Sequence, residues 1–138
     1  MCAACLAVVD KRCYSQPFPA TNWFAAEQSC VNWGGHLFSY NSAAQFQVAL
    51  DVFPTQGFWL GLQRTEAGGP WRVTDGTSSS TATGMWAPGE PDRNGGIVPI
   101  CAWAAPWTSS TKIDDVGCYQ VNAPYLCVSK LADSVQIV

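Results

Sequence analysis

Two stretches of the chain place mostly apolar residues at helical spacing. The first stretch has five such positions, spaced one, three or four residues apart: Trp23, Ala26, Glu27, Cys30 and Val31. This period marks one face of an α-helix. Thr21-Asn22 offers an N-cap before the stretch, and Gly34-Gly35 provides a C-terminal stop after it. The pattern predicts a first helix between these signals.

The second helical stretch begins at a capping signal. Ser42-Ala43-Ala44-Gln45 has the form of a capping box, in which the first and fourth side chains satisfy backbone N–H groups at the start of a helix. The apolar pattern continues toward Leu50. Phe53-Pro54 then ends it, because a residue before proline disfavours the helical conformation. We therefore predict a second helix opening at Ser42.

The other apolar positions form short runs that are typical of strands. Residues 2–20 read as an N-terminal strand or hairpin that leads into a loop, and His36–Tyr40 alternates like the beginning of a strand. Five later runs are predicted strands of a mostly antiparallel sheet: Phe58–Leu62, Trp71–Val73, Ile100–Trp103, Val116–Val121 and Tyr125–Val128. Asp75-Gly76 predicts a turn, and the Ser/Thr-rich run 77–83 predicts a surface loop.

Composition narrows the class of protein. A length of 138 residues predicts one domain, residues 1–138, and a net charge of −3 with 12% charged residues gives no basic surface for nucleic acid or acidic lipid. Seven cysteines without tandem CxxC pairs favour disulfides, and therefore a secreted, extracellular protein. The apolar run Cys5–Val9 is too short for a signal peptide or a membrane span, so we expect the sequence to begin at a mature N-terminus.

Acidic residues concentrate in two short loop-like segments. Glu90 and Asp92 lie in Trp86–Asp92, and Asp114 and Asp115 lie in Lys112–Cys118. Side-chain oxygens on rigid turns suit a hard cation or a polyol. The alternative interpretation is an ordinary solvated turn.

The remaining candidate residues favour binding over catalysis. His36 is the only histidine, and its setting favours a packing or hydrogen-bonding role. The sequence pairs no serine or cysteine nucleophile with an evident base, so we predict a protein that is not an enzyme. Trp103 and Trp107 lie near the acidic segments, where an aromatic face suits the apolar face of a sugar ring, although one of the two is expected to be core.

The order of the motifs resembles the C-type lectin-like domain over about residues 13–128. The matching motifs, in chain order, are Cys13-Tyr14, Trp23-x-x-Ala26-x-x-x-Cys30, Gly34-Gly35-His36-Leu37, Trp59-Leu60-Gly61-Leu62, Trp71 with Asp75-Gly76, Trp86-x-Pro88-Gly89-Glu90-Pro91, Cys101, Asp115-x-x-Cys118 and Tyr125-Leu126-Cys127. The resemblance implies an α+β fold in which two helices flank small antiparallel sheets, with a long loop region over residues 64–113 and disulfides as staples.

The resemblance also implies a pattern of disulfides. It pairs Cys30 with Cys127 and Cys101 with Cys118. The separation of Cys2 from Cys13 is similar to that of the extra N-terminal bridge in the long form of the domain, so we expect Cys2 to pair with Cys13. Cys5 is then left over, and we expect it to link two chains into a covalent dimer.

The sugar-binding members of the family hold a calcium ion, and the resemblance carries only part of their ligand set to this chain. Glu90 and Asp92 match the first ligand triplet, and Asp114 and Asp115 match the last two positions of the third. Ile113 replaces that triplet's Trp, and the Glu expected before Cys101 is missing. Carboxylates brought together would repel one another unless a cation, or the nearby Arg93 and Lys112, neutralised them. We therefore expect calcium not to be required.

Two functions follow from the resemblance. The first is a secreted lectin for a monosaccharide or terminal glycan, with a preference for N-acetylhexosamines. Its sugar-binding residues would be Glu90, Asp92 and Asp114 as acceptors, Arg93, Asn94 and Lys112 as donors, and Trp103 or Trp107 as an apolar cover. The second is a domain of the same fold that does not bind sugar and acts through protein or mineral contacts, including ice.

Overall fold

The computed structural model describes residues 5–66, 69–77, 99–104 and 113–131. Within these ranges the chain forms two α-helices and ten short strands. In chain order these elements are β1 (Ala7–Val9), β2 (Arg12–Tyr14), β3 (Phe18–Thr21), α1 (Trp23–Trp33), β4 (His36–Leu37), α2 (Ala43–Val52), β5 (Phe58–Arg64), β6 (Arg72–Val73), β7 (Ile100–Ala104), β8 (Asp114–Gly117), β9 (Ala123–Tyr125) and β10 (Cys127–Lys130).

Both helices begin at the predicted caps. The side chain of Asn22 accepts from the N–H of Ala25, and that of Ser42 accepts from the N–H of Gln45. Helix α1 ends at Gly34, whose φ of 114° is left-handed and suits glycine. Helix α2 ends at Phe53, as predicted. Neither helix is long and apolar enough to span a membrane.

The first sheet joins the N-terminal hairpin to the last strand, in the order β1-β2-β10-β4. The hairpin turns at Asp10 and Lys11, which both have positive φ, as the tight turns of hairpins require. This turn sets Val8 opposite Cys13 and brings Cys5 to a Cα–Cα distance of 5.3 Å from Cys13.

Cys13 is bonded to Cys5, so the predicted pairing with Cys2 is wrong, and so is the prediction that Cys5 links two chains. The reason is the register of the hairpin: Leu6 donates its N–H to the carbonyl of Tyr14, which places the preceding cysteine beside Cys13. Cys2 itself lies outside the described residues.

A second sheet pairs β3 with β9. The sequence predicted a loop where β3 forms. It also predicted a single strand over Tyr125–Val128, but the chain forms two strands there, β9 and β10. Leu126 separates β9 from β10, and these two strands belong to different sheets. The run was therefore correctly predicted to form strand, but its division into two strands depends on partners elsewhere in the chain.

The third sheet has the order β6-β5-β7-β8. Strand β5 pairs with β7 along its length, with an irregularity between Leu60 and Gln63, and β7 forms a hairpin with β8. Strand β8 covers Asp114–Gly117, whereas the sequence predicted a strand over Val116–Val121. The strand ends at Gly117 because a turn follows, in which the N–H of Gly117 donates to Gln120 Oε1 at 2.8 Å.

Two disulfides have the pairing that the resemblance implied. Cys30–Cys127 joins α1 to β10, and Cys101–Cys118 joins β7 to the residue after β8. Around the first of them Trp23, Trp59 and Tyr125 pack in one buried cluster. A second cluster has Phe38 in contact with the rings of Tyr14, Tyr40, Phe46 and Phe58. The α+β fold with two helices and small antiparallel sheets is thus confirmed.

Candidate functional site

The β7–β8 hairpin brings together the predicted site residues that the structure describes. Trp103 lies opposite Asp114, and Ala102 lies opposite Asp115. The other predicted residues lie outside the described ranges: Glu90, Asp92, Arg93, Asn94, Trp107 and Lys112.

The predicted residues of this hairpin are buried. Exposure is 5% for Asp114, 0% for Asp115 and 6% for Trp103, whose ring lies 6.2 Å from that of Trp59. Each of the three has interaction partners within the chain. A ring so placed offers little surface to a sugar, so Trp103 takes the core role that the sequence assigned to one of the two tryptophans.

The local sequence explains why two acids can lie in this strand. Ile113, which stands where the family pattern has Trp, is fully buried and anchors the beginning of β8 in the apolar core. The Cys101–Cys118 disulfide fixes the other end, and the carbonyl of Cys118 accepts from the N–H of Trp23 at 3.1 Å. All four residues of β8, Asp114 and Asp115 among them, are buried between these two fixed ends.

The described residues alone do not make a calcium site. Calcium takes about six to eight oxygen ligands. Of the four carboxylates assigned to it, the described ranges contain Asp114 and Asp115, and these ranges contain no group of three or more His, Cys, Asp or Glu side chains arranged to hold a metal.

A second polar group, which the sequence did not single out, surrounds Asp75. Its Oδ2 accepts from Ser39 Oγ at 3.0 Å and lies 3.6 Å from Arg12 Nη1, while Oδ1 accepts from both the backbone N–H and the hydroxyl of Thr77. Burial alone would raise the pKa of Asp75, but the hydrogen bonds from Thr77 and Ser39 and the charge of Arg12 hold that pKa below its usual value.

The only histidine has a hydrogen-bonding role, as the sequence favoured. His36 Nδ1 lies 2.6 Å from Glu27 Oε2, and the other oxygen of Glu27 accepts from the N–H of Leu37 at 2.8 Å. The sequence predicted for Glu27 only a place on one face of the first helix. Its spacing from His36 along the chain gives no signal of this contact.

The fold and the family pattern define a C-type lectin domain. The family model described as "Lectin C-type domain" matches residues 20–129, and the chain belongs to this family. Members of the family are typically non-enzymatic binding proteins.

Among curated relatives, a type-2 ice-structuring protein of Brachyopsis segaliensis is 33% identical over 67% of this chain and 53% of its own length. Ladderlectin of Oncorhynchus mykiss is 30% identical over 78% of this chain and 57% of its own length. The chain thus spans little more than half the length of these relatives.

Solved structures share the fold over nearly the whole chain. A calcium-independent type II antifreeze protein superposes with a TM-score of 0.78 at 26% identity, covering 96% of both chains. The carbohydrate-recognition domain of cow CD23, solved with a GlcNAc2Man3 oligosaccharide, superposes with a TM-score of 0.76 at 24% identity, covering 95% of this chain and 99% of its own. At 24% identity, the likeness to the CD23 domain shows a shared fold alone.

Proposed function

We propose that this chain is a secreted, non-enzymatic lectin domain that binds a monosaccharide or terminal glycan and does not require calcium to do so. The observation that carries the proposal is the state of Asp114 and Asp115. These are the acids that the family pattern assigns to the ion, and here they are buried and have partners within the chain.

The burial of Asp114 and Asp115 bears on whether the domain requires calcium. A buried carboxylate must be compensated, either by a metal ion or by groups of the protein. Asp114 and Asp115 each interact with other groups of the chain, and on this proposal those groups supply the compensation in place of an ion. An ionised Asp also only accepts hydrogen bonds, so it cannot reproduce an amide that binds the ion and donates to a sugar hydroxyl.

Direct hydrogen bonding is the mechanism that remains for sugar. Glu90 and Asp92 can accept from hydroxyls, and Arg93, Asn94 and Lys112 can donate to them. An N-acetylhexosamine suits such a set, because its acetamido group offers an N–H, a carbonyl and a methyl group. The ring of Trp107 is the candidate for the methyl or the apolar face, since that of Trp103 is buried.

Calorimetric titration of N-acetylglucosamine in calcium and in excess EDTA tests this function. We expect the same affinity in both buffers and a weaker affinity for galactose and mannose. Binding that disappears in EDTA would contradict calcium independence, and equal affinity for the plain hexoses would contradict the acetamido preference. A glycan array without signal in either buffer would overturn the lectin function itself.

A second candidate function is binding to ice. The observation that favours it is the likeness to a calcium-independent antifreeze protein over 96% of both chains, together with the ice-structuring relative at 33% identity. The low charge and the Ser/Thr-rich run 77–83 are compatible with a weakly charged contact surface. Thermal hysteresis and ice recrystallisation assays separate the two, because a lectin of this kind should be inactive in both.

A further inference from the structure

An open groove lies between the β1–β2 turn and the end of β10. Its volume of about 590 Å³ is within the usual range for sites that take a small molecule. The described residues that line it are mostly polar or charged: Asp10, Lys11, Arg12, Asn41, Thr77, Lys130 and Leu131. The sugar-binding residues proposed for this chain are all different ones. The groove is therefore a separate feature of the molecule.

Basic residues are concentrated in this groove. Three of the seven Lys and Arg residues of the chain line it, although the chain has a net charge of −3. Lys11 and Lys130 are exposed, whereas the side chain of Arg12 is only 5% exposed and lies 3.6 Å from the carboxylate of Asp75. Asp10 is the acid among the described lining residues. Three cations thus stand against two carboxylates, so the groove has a local surplus of positive charge.

The pairing of the strands places two of these cations side by side. Lys130 lies directly opposite Arg12 in the register of β10 and β2. The N–H of Leu131 donates to the carbonyl of Lys11 at 2.8 Å, which brings the third cation close. Like charges directly opposite one another destabilise an antiparallel pair. No described acid forms an ion pair with Lys130, so this arrangement is unfavourable for the fold by itself.

The backbone of the turn adds a second unfavourable feature. Lys11 has a φ of 62°, in the left-handed region, where glycine or asparagine is more stable than a residue with a long side chain. Departures from local rules that bring no structural gain are expected at functional sites. Here two independent departures bring cations to the same groove.

We propose that this groove is a second ligand site, which binds a saccharide unit carrying a sulfate group. Lys11 and Lys130 bind the sulfate, because an ammonium group offers three N–H donors and charged hydrogen bonds are the strong ones. The bound anion also offsets the repulsion between Lys130 and Arg12. The groove is larger than an inorganic ion, and the side chains of Asn41 and Asp10 can bond to the hydroxyls of a sugar ring.

Titration with glucose 6-sulfate, followed by the NMR shifts of backbone amides, tests the site. We expect saturable shifts at Lys11, Asn41 and Leu131, and no shifts with glucose at the same concentration. The affinity should fall as salt rises from about 20 to about 200 mM, because exposed charges are screened. Inorganic sulfate that binds as tightly as glucose 6-sulfate would overturn the saccharide, and shifts confined to other residues would overturn the site.

Single substitutions test the two lysines. We expect Lys130→Gln and Lys11→Asn each to raise the Kd for glucose 6-sulfate about three- to tenfold. Because asparagine tolerates the left-handed φ, Lys11→Asn should not lower the urea midpoint. A lower midpoint with an unchanged Kd would overturn the binding role of Lys11.

Arg72→Gln is the matched control, because it removes an exposed charge on β6 outside the groove. An equal rise of Kd in this variant would overturn the site, since net charge alone would then explain the effect. N-acetylglucosamine carries no sulfate and should not compete. If the chain binds no N-acetylglucosamine, the proposed function fails, while the titration with glucose 6-sulfate still decides the groove.

Discussion

Glu27 on α1 accepts a hydrogen bond from the backbone N–H of Leu37 on β4 at a distance of 2.8 Å. Leu37 is fully buried, and its strand is two residues long, so this side-chain bond supplements a very short ladder. The other oxygen of Glu27 lies 2.6 Å from His36 Nδ1. One carboxylate therefore attaches the first helix to the strand that follows it.

Removal of this acceptor should destabilise the fold. We expect Glu27→Ala to lower the free energy of unfolding by about 1–3 kcal/mol, because the N–H of Leu37 loses its partner away from water. Glu27→Gln keeps an acceptor and should cost less. Urea unfolding measures both, with Gln28→Ala as the control on an exposed position of the same helix. A loss as large for Gln28→Ala would contradict the assignment to Leu37.

Acid should remove the contribution of Asp75 to stability. Its pKa is lower in the folded chain than the value of about 3.9 expected in the unfolded chain, so the unfolded state binds the proton more readily. The contribution is complete above the unfolded pKa and is lost as the pH falls through the lower folded pKa. Urea midpoints measured from pH 6 down to pH 2 should fall less steeply for Asp75→Asn than for the wild type. Parallel curves would contradict this prediction, and Asp51→Asn serves as the control.

The two long-range disulfides should differ in their effect. Cys30–Cys127 spans a sequence separation of 97 residues and Cys101–Cys118 one of 17. Loop-closure entropy predicts stabilisations of about 4.7 and about 3 kcal/mol for loops of roughly these sizes. Paired Cys→Ala variants, compared by urea unfolding, should therefore rank in that order. Loss of the shorter bridge should also accelerate hydrogen exchange in 105–112 while the helices stay protected.

We expect a covalent dimer that depends on Cys2. The three described disulfides use six of the seven cysteines, and Cys2, outside the described residues, is the one that remains. We expect a dimer band on a non-reducing gel that disappears in Cys2→Ser and under reducing conditions. Migration of the wild type at monomer size would contradict the prediction.

Gly61 should not tolerate a side chain. A Cβ atom there would lie 2.6 Å from the carbonyl oxygen of Leu37 and 2.8 Å from Thr74 Oγ1. Because a backbone oxygen in a core strand cannot move away easily, we expect Gly61→Ala to cost about 1–3 kcal/mol in urea unfolding. Gly69→Ala, whose nearest contacts would be at 3.1 Å, is the milder comparison.

The sequence was sufficient where structure depends on near neighbours. Asn22 and Ser42 cap helices through bonds to residues three positions away, and Gly34 and Phe53 end them. The apolar run at Phe58–Leu62 likewise predicted a strand from its own residues, because a short apolar run between turn signals is typical of a buried strand. The family resemblance added two disulfide pairings, which no local pattern contains.

Tertiary structure decided the features that depend on distant partners. The register of the hairpin selected Cys5 over Cys2 as the partner of Cys13, and pairing with two different strands divided the chain at Leu126. Arg12 and Asp75 lie far apart in the sequence, so nothing local predicts their contact. The sequence alone identified Asp114 and Asp115 as candidate ligands of a cation or a sugar. Their burial was decided by tertiary structure: as neighbours in β8 they point to opposite faces of the sheet, so both are enclosed only because this strand is covered on both faces.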